Sequence, residues 1–288
     1  MTTAAPSVHG SDLHKTEKPT PPTFNTTPGR IHFLLRRVHS LAGVAFGGYI
    51  VVHLAVNASG FSPRAYQLNV DKIHSLEPNL AFIEIATIFS PLLLHMLYGI
   101  YIAWFGVKYN TMKYNYGGNI RYSLQRWTSL ILFFFILFHI ATLHKWGFHL
   151  VYQITHAQAL SAYAARGLFN DHNQAFQSTV AGIRNYWNAE SPTNPGNLLV
   201  MAFYLLGVWS AVFHFANGLW TAAIAWGLTV TANAQRRWGH VCLACGIAMF
   251  VIGTLAWAAF TIAPAAQGDT GRWNNITNTV PEKAAANP

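Results

Sequence analysis

AVFHFANGLWTAAIAW, residues 211–226, is an apolar stretch in which one imidazole, that of His214, stands among aliphatic and aromatic side chains. The apolar run extends over residues 198–230, which is long enough for a helix that crosses a bilayer. A polar ring at such a depth costs free energy unless a partner satisfies it. The stretch therefore predicts a membrane-spanning helix whose histidine binds a group inside the bundle.

The composition places the whole chain in the membrane. Of its 288 residues, 52% are hydrophobic and only 9% are charged, whereas soluble domains carry about 25% charge. These values predict an all-α integral membrane protein. The formal net charge of +9 is explained by basic residues in cytoplasmic loops and by anionic ligands, so nucleic acid is not expected as a partner.

Five apolar segments are long enough to span a bilayer. They cover residues 34–58, 80–107, 122–146, 198–230 and 239–263. They form a predicted membrane domain, residues 30–264, with a long loop at 147–196 and a short interfacial helix at 157–168. Residues 1–29 lack the apolar core of a signal peptide and are predicted to be a flexible cytoplasmic tail. Residues 265–288 are predicted to be a second polar tail.

Charge predicts the orientation of these segments. Basic residues with few acids near the helix ends precede the first segment and connect the second to the third and the fourth to the fifth. The other two connections are mixed. By the positive-inside rule, the N-terminus is cytoplasmic and the C-terminus lies outside.

Depth groups the buried histidines in pairs. His53 and His139 lie about five and seven residues before the ends of their segments, roughly 8–11 Å from the outer surface at 1.5 Å per residue. His95 and His214 follow the outer starts of their segments by about 15–16 residues, roughly 23–24 Å further in. The sequence thus predicts an outer pair, His53 with His139, and an inner pair, His95 with His214.

Two imidazoles that face each other are the axial ligands of a low-spin haem iron. The two pairs predict two haems b inside a bundle of four of the five helices. A single buried histidine is equally well explained by a hydrogen bond to a neighbouring helix, but four at paired depths are not. His39 competes for the inner haem, although its place beside Arg36 and Arg37 favours contact with a haem propionate or a quinone.

Other polar residues are candidates for quinone or proton chemistry, namely Glu84, His39, Ser40, Arg36 and His144. Glu84 is the one acid deep within an apolar run, and such carboxylates are often functional. It lies eleven residues before His95, so in a regular helix the two share a face. A neutral carboxyl that is hydrogen-bonded to a neighbouring helix explains Glu84 equally well.

The glycines of the first segment and the cysteines of the last segment are predicted to have different roles. Gly43, Gly47 and Gly48 form a face on which a neighbouring helix or a flat cofactor can approach closely. Cys242 and Cys245 give at most two of the four ligands that a zinc site needs, so they are predicted to be packing residues.

Four stretches resemble the single-chain, five-helix, di-haem cytochrome b subunit of succinate:quinone oxidoreductases. They are RRVHSLAGV (36–44), VVHLAVN (51–57), EIATIFSPLLLHMLYGIYIA (84–103) and FHFANGLWTAAIAWGLTVT (213–231). The resemblance covers roughly residues 30–260. It implies the same four iron ligands, with the inner haem proximal to the iron–sulfur subunit and the outer haem distal from it.

The resemblance also implies a role. A flavoprotein subunit and an iron–sulfur subunit dock on the cytoplasmic face of the bacterial inner membrane, and electrons from succinate pass through the haems to a quinone, usually menaquinone. Fumarate-reducing relatives with a coupled proton path have a Glu where this chain has Val212, which leaves that path unsupported. The loop 147–196 and both tails are longer than in compact members and are expected to cover the distal haem or to contact an extra subunit.

Three alternatives remain open from the residues. In the first, the chain is a di-haem cytochrome b of another membrane dehydrogenase, such as a hydrogenase or a formate dehydrogenase. In the second, it serves a quinol:fumarate reductase. The third alternative, from a different class, is a transporter that uses its histidines as a proton relay.

Overall fold

The computed structural model describes residues 27–105, 117–144, 172–184, 186 and 193–262. Both predicted tails, the predicted helix at 157–168 and most of the long loop lie outside the described residues. The last residues of three predicted segments, 106–107, 145–146 and 263, lie outside them as well.

The described ranges form seven α-helices and no strand. The helices are α1 Thr27–Ala58, α2 Pro63–His74, α3 Leu80–Phe105, α4 Gly117–Leu143, α5 Ala175–Ile183, α6 Pro195–Ala225 and α7 Ala232–Thr261. Five of them, α1, α3, α4, α6 and α7, are long and apolar enough to cross a membrane. The predicted all-α membrane fold with five transmembrane helices is therefore confirmed.

Several helices begin or end at residues other than the predicted ones, because local capping contacts determine where a helix starts and stops. Asn194 accepts a hydrogen bond from the Gly196 amide at 2.8 Å and Pro195 opens α6, so this helix begins three residues before the apolar run. It ends at Ala225 rather than at residue 230, because Gly227 adopts a positive φ of 72° that terminates the helix. The Thr231 side chain then caps α7.

Among the four helices that carry the predicted ligands, α1 and α6 lie at the centre of the packing. Helix α1 contacts α3 and α6, and α4 contacts α6. Helix α7 covers the outside of α1 and α6. Large apolar side chains remain exposed on the spanning helices, for example Phe82 (74%) and Trp104 (77%), as expected for surfaces that face lipid.

The two ends of the bundle differ in charge. At the end where α1 and α7 begin, the part of the chain that the structure describes has seven arginines and no Asp or Glu. These arginines are Arg30, Arg36, Arg37, Arg121, Arg126, Arg236 and Arg237. We call this the basic end. The opposite end is covered by α2 and α5, and we call it the cap end.

The cap end is held by contacts that no periodicity in the sequence predicts. The Tyr66 hydroxyl of α2 lies 3.2 Å from the Thr179 hydroxyl of α5. The Tyr66 ring also packs edge-on against Phe260 of α7, with ring centres 5.1 Å apart. Burial raises the pKa of the Tyr66 phenol, so this side chain stays neutral and acts as a hydrogen-bonding brace.

A π-helical turn, Ile85–Phe89, interrupts α3. In it the Ser90 amide bonds to the Ile85 carbonyl, which places one extra residue in the turn just before Pro91. Proline has no amide hydrogen and its ring collides with the carbonyl four residues earlier, so the wider turn relieves that collision. The extra residue rotates the helix by about 100°. The helix between Glu84 and His95 is therefore not regular, which is the condition under which the two residues were expected to share one face.

Candidate functional site

The structure brings the four spanning histidines together in two pairs, which are the pairs that depth predicts. His53 of α1 faces His139 of α4, with ring centres 5.9 Å apart and ring planes at 88°. His95 of α3 faces His214 of α6, again at 5.9 Å and 88°. The same separation and the same angle occur in both places, although four different helices supply the rings.

This separation fits one metal ion between two rings. A metal–imidazole bond is about 2.0–2.1 Å long and the ring centre lies about 1.1 Å further on, so rings on opposite sides of one iron have centres roughly 6.3 Å apart. Within the described ranges, no group of three or more His, Cys, Asp or Glu side chains is placed to hold a bare metal ion. Two-ligand sites of this kind fit an iron whose other ligands come from a porphyrin.

Backbone carbonyls orient the rings of the inner pair. The His95 Nδ1 atom lies 3.0 Å from the His39 carbonyl oxygen, and the His214 Nδ1 atom lies 3.3 Å from that of Gln125. Because a carbonyl only accepts, each Nδ1 carries the hydrogen. Each Nε2 is then left as the acceptor that binds a metal.

The outer pair has a different environment. The His53 Nδ1 atom lies 3.3 Å from the Tyr49 hydroxyl, one turn earlier on α1. The Nδ1 atom of His139 is buried and has no hydrogen-bond partner, and its ring packs against the rings of Phe135 and Tyr204. A buried nitrogen without a partner is uncommon in proteins and indicates a functional constraint at this ring.

Glycines of α1 make room for the inner pair. A Cβ atom at Gly43 would lie 2.5 Å from Nδ1 and Cε1 of His95, and one at Gly47 would overlap the ring of Phe215. A Cβ atom at Gly48 would meet nothing within 4 Å. Of the predicted small-residue face, two positions thus seat side chains of α3 and α6, and the third is open.

The residues predicted to lie near a haem propionate are at the basic end, and each has different contacts there. The His39 ring stacks on the His95 ring at 4.1 Å and 10°, and its Nδ1 atom and the Ser40 hydroxyl are buried without a hydrogen-bond partner. Arg37 donates to the Ala225 carbonyl at 3.2 Å. Arg36 is exposed.

The remaining candidates lie away from the inner pair. Glu84 is half-buried at the cap end, and His144 follows α4 there, edge-on to Phe89 at 6.0 Å. Both cysteines are free thiols on α7, which carries none of the paired histidines. Val212 is buried with Leu54 and Met249.

The sequence does not predict a polar network that lies beside His214. It consists of Arg121 and Gln125 on α4 and Asn217 on α6, joined by hydrogen bonds of 2.8–3.1 Å. Their spacing is visible in the sequence, because Arg121 and Gln125 are four residues apart on α4 and Asn217 is three residues after His214 on α6. Their meaning depends on which faces of the two helices meet, which the spacing alone does not give.

Five spanning helices with facing internal histidines define a class, the membrane cytochromes b. The chain is 32% identical over 235 residues to the succinate dehydrogenase cytochrome b558 subunit of Bacillus subtilis (strain 168), a match that covers 81% of this chain and 98% of that protein. No family model matches the chain, and no solved structure matches it.

The chain therefore belongs to the family of cytochrome b membrane-anchor subunits of succinate:quinone oxidoreductases. It is a multi-pass bacterial membrane protein and a subunit of succinate dehydrogenase, which works with the other subunits of that complex. The resemblance seen in the four sequence stretches is confirmed.

Proposed function

We propose that this chain holds two haems b, one at each histidine pair, and passes electrons from the iron–sulfur subunit to a quinone. The observation that supports this most strongly is the repeated geometry of the pairs, 5.9 Å and 88° in each. His53 and His139 would hold the distal haem, and His95 and His214 would hold the proximal haem. Haem b, when bound, supplies a one-electron Fe(III)/Fe(II) couple.

The protein positions these pairs at two depths. Gly43, which contacts His95, lies ten residues before His53 on the same helix, a rise of about 15 Å. The apolar helices around the pairs exclude water, and the carbonyls of His39 and Gln125 hold the inner rings in the tautomer that binds iron. An electron that enters at one end of the bundle can therefore leave towards the other.

The basic end is proposed to face the cytoplasm, with the N-terminus inside and the C-terminus outside. Its seven described arginines without an acid fit the positive-inside rule. The iron–sulfur subunit and, through it, the flavoprotein subunit dock at this end. The long loop 147–196 and the two tails retain the role expected from the sequence, contact with the distal haem region or with an extra subunit.

The quinone, menaquinone in the first instance, has two candidate sites. At the basic end, the buried Nδ1 of His39 and the Ser40 hydroxyl lack hydrogen-bond partners and are suited to a quinone oxygen or a haem propionate, with Arg36 at the rim. At the cap end, Glu84 and His144 are the candidates. Val212 provides no carboxyl for a proton path at its depth.

Replacing one histidine of each pair tests this proposal. In the purified complex, His53→Ala and His214→Ala are each expected to remove one of two haem signals from the reduced-minus-oxidised spectrum and to abolish succinate:menaquinone turnover. His240→Ala, which replaces an exposed histidine of α7, is the matched control and keeps both signals. Full haem content in either pair variant contradicts the proposal.

A further inference from the structure

A chain of hydrogen bonds runs from the basic end to the main chain of His214. Arg121 Nε donates to Asn217 Oδ1 at 2.9 Å, and Asn217 Nδ2 donates to Gln125 Oε1 at 2.8 Å. Gln125 Nε2 then donates to the His214 carbonyl oxygen at 3.1 Å. Asn217 is 6% exposed, so this chain is screened from solvent at its centre.

Arg121 fixes the direction of every bond in this chain. A guanidinium only donates, so the Asn217 oxygen must face it and the Asn217 nitrogen must face Gln125. The Gln125 oxygen then accepts, and its nitrogen is left to donate to the His214 carbonyl. The guanidinium is itself held over the Trp220 ring, 4.1 Å from the ring centre. Arg121 thereby fixes the orientation of the Asn217 amide directly and that of the Gln125 amide through one further hydrogen bond.

The chain closes on the imidazole through Gln125. The side chain of this residue bonds to the His214 carbonyl, and its own carbonyl accepts from His214 Nδ1 at 3.3 Å. One residue of α4 thus holds both the backbone and the ring of His214. In the outer pair two residues of α1 share these roles for His53, since Asn57 Nδ2 donates to its carbonyl at 2.7 Å and the Tyr49 hydroxyl lies 3.3 Å from its Nδ1. The His139 Nδ1 atom has no hydrogen-bond partner.

We propose that Arg121, Asn217 and Gln125 act as a relay of positioning residues that sets the redox potential of the inner haem through His214. This inference rests on the proposed function, namely that His214 would hold the inner haem. A hydrogen bond from Nδ1 makes an imidazole a stronger donor to its metal, which favours the ferric state. Loosening the relay weakens that bond and raises the potential of the inner haem.

Isosteric, uncharged variants test the relay in the purified complex. Gln125→Met and Asn217→Leu are each expected to raise the midpoint potential of the inner haem and to shift its low-spin electron paramagnetic resonance signal, which reports the angle between the ligand rings. The outer haem keeps its potential and signal. A tenfold change in the relative affinity for oxidised and reduced haem corresponds to about 59 mV for a one-electron couple. Gln235→Met, whose side chain bonds only to the Thr229 carbonyl at 3.1 Å, is the matched control.

A relay also predicts coupling between its members. Because both variants cut the same chain of bonds, the double variant is expected to show the shift of Gln125→Met alone rather than the sum of two shifts. Arg121→Lys keeps the charge but loses the directional Nε donor, and it is expected to give a smaller shift of the same sign. If neither Gln125→Met nor Asn217→Leu assembles into the complex, Arg121→Lys is the variant that tests the relay.

Unchanged inner-haem potential and signal in these variants, or shifts that simply add, overturn the relay. Absence of an inner haem from the wild-type complex is a different result, since it refutes the proposed function and leaves no ligand for the relay to position.

Discussion

Replacing Gly43 by alanine adds one methyl group at the tightest contact of the inner site. The new Cβ would lie 2.5 Å from Nδ1 and Cε1 of His95, whereas ordinary contacts are 3.4–4 Å. The His95 ring must therefore move by about 1 Å, and α1 cannot yield easily because Gly47 is already packed against Phe215. The movement strains the 3.0 Å hydrogen bond from His95 Nδ1 to the His39 carbonyl.

The size of the effect follows from these contacts. Overpacking of a filled interior costs about 1–3 kcal/mol, and losing the hydrogen bond costs about 1 kcal/mol. Loss of a group that orients a metal ligand typically lowers metal affinity about 10- to 100-fold. We therefore expect Gly43→Ala to weaken retention of the inner haem by about 10- to 100-fold and to leave the outer haem in place.

Haem retention is measured by titrating haem into the haem-depleted complex and following the two signals by redox potentiometry. Gly48→Ala is the control, because its Cβ meets nothing within 4 Å on the same helix, and it should behave as wild type. Equal retention of the inner haem in Gly43→Ala and Gly48→Ala would refute the reasoning that His95 is seated on α1.

Three further changes give distinct results. Tyr49→Phe removes the hydroxyl that lies 3.3 Å from His53 Nδ1, and redox titration should show a changed potential for the outer haem with the inner haem unaffected. Tyr66→Phe breaks the bond to Thr179 and should destabilise the cap by about 1 kcal/mol, seen as a lower midpoint in thermal denaturation at unchanged haem content. Glu84→Gln should lower succinate:quinone turnover without loss of haem, and unchanged turnover removes this carboxyl from the quinone site.

The sequence predicts the spanning helices and the histidine pairs because both depend on distance along a helix axis. Apolar length determines which segments cross the membrane, and a fixed rise per residue determines the depth of each histidine. Successive spans alternate in direction, so His53 and His139 lie at one depth on two parallel helices, and His95 and His214 lie at another depth on the two helices that run the opposite way. No knowledge of side-chain contacts is needed for that result.

Features that depend on rotation about the axis are not predicted. The π turn before Pro91 changes the phase of α3, and a regular helical period does not predict such a change. The relay cannot be predicted without knowing that the face of α4 with Arg121 and Gln125 meets the face of α6 with Asn217. The cap formed by α2 and α5 comes from tertiary contacts of Tyr66 rather than from any periodic pattern.

The ratio of haem b to this chain in the purified complex, measured for the wild type and for His95→Ala, shows directly whether each histidine pair binds a haem. We expect two haems per chain in the wild type and one in the variant, with the remaining haem showing the potential of the outer site. A wild-type ratio of one, or a ratio of two that survives loss of His95, contradicts the claim that each facing pair of imidazoles binds its own haem.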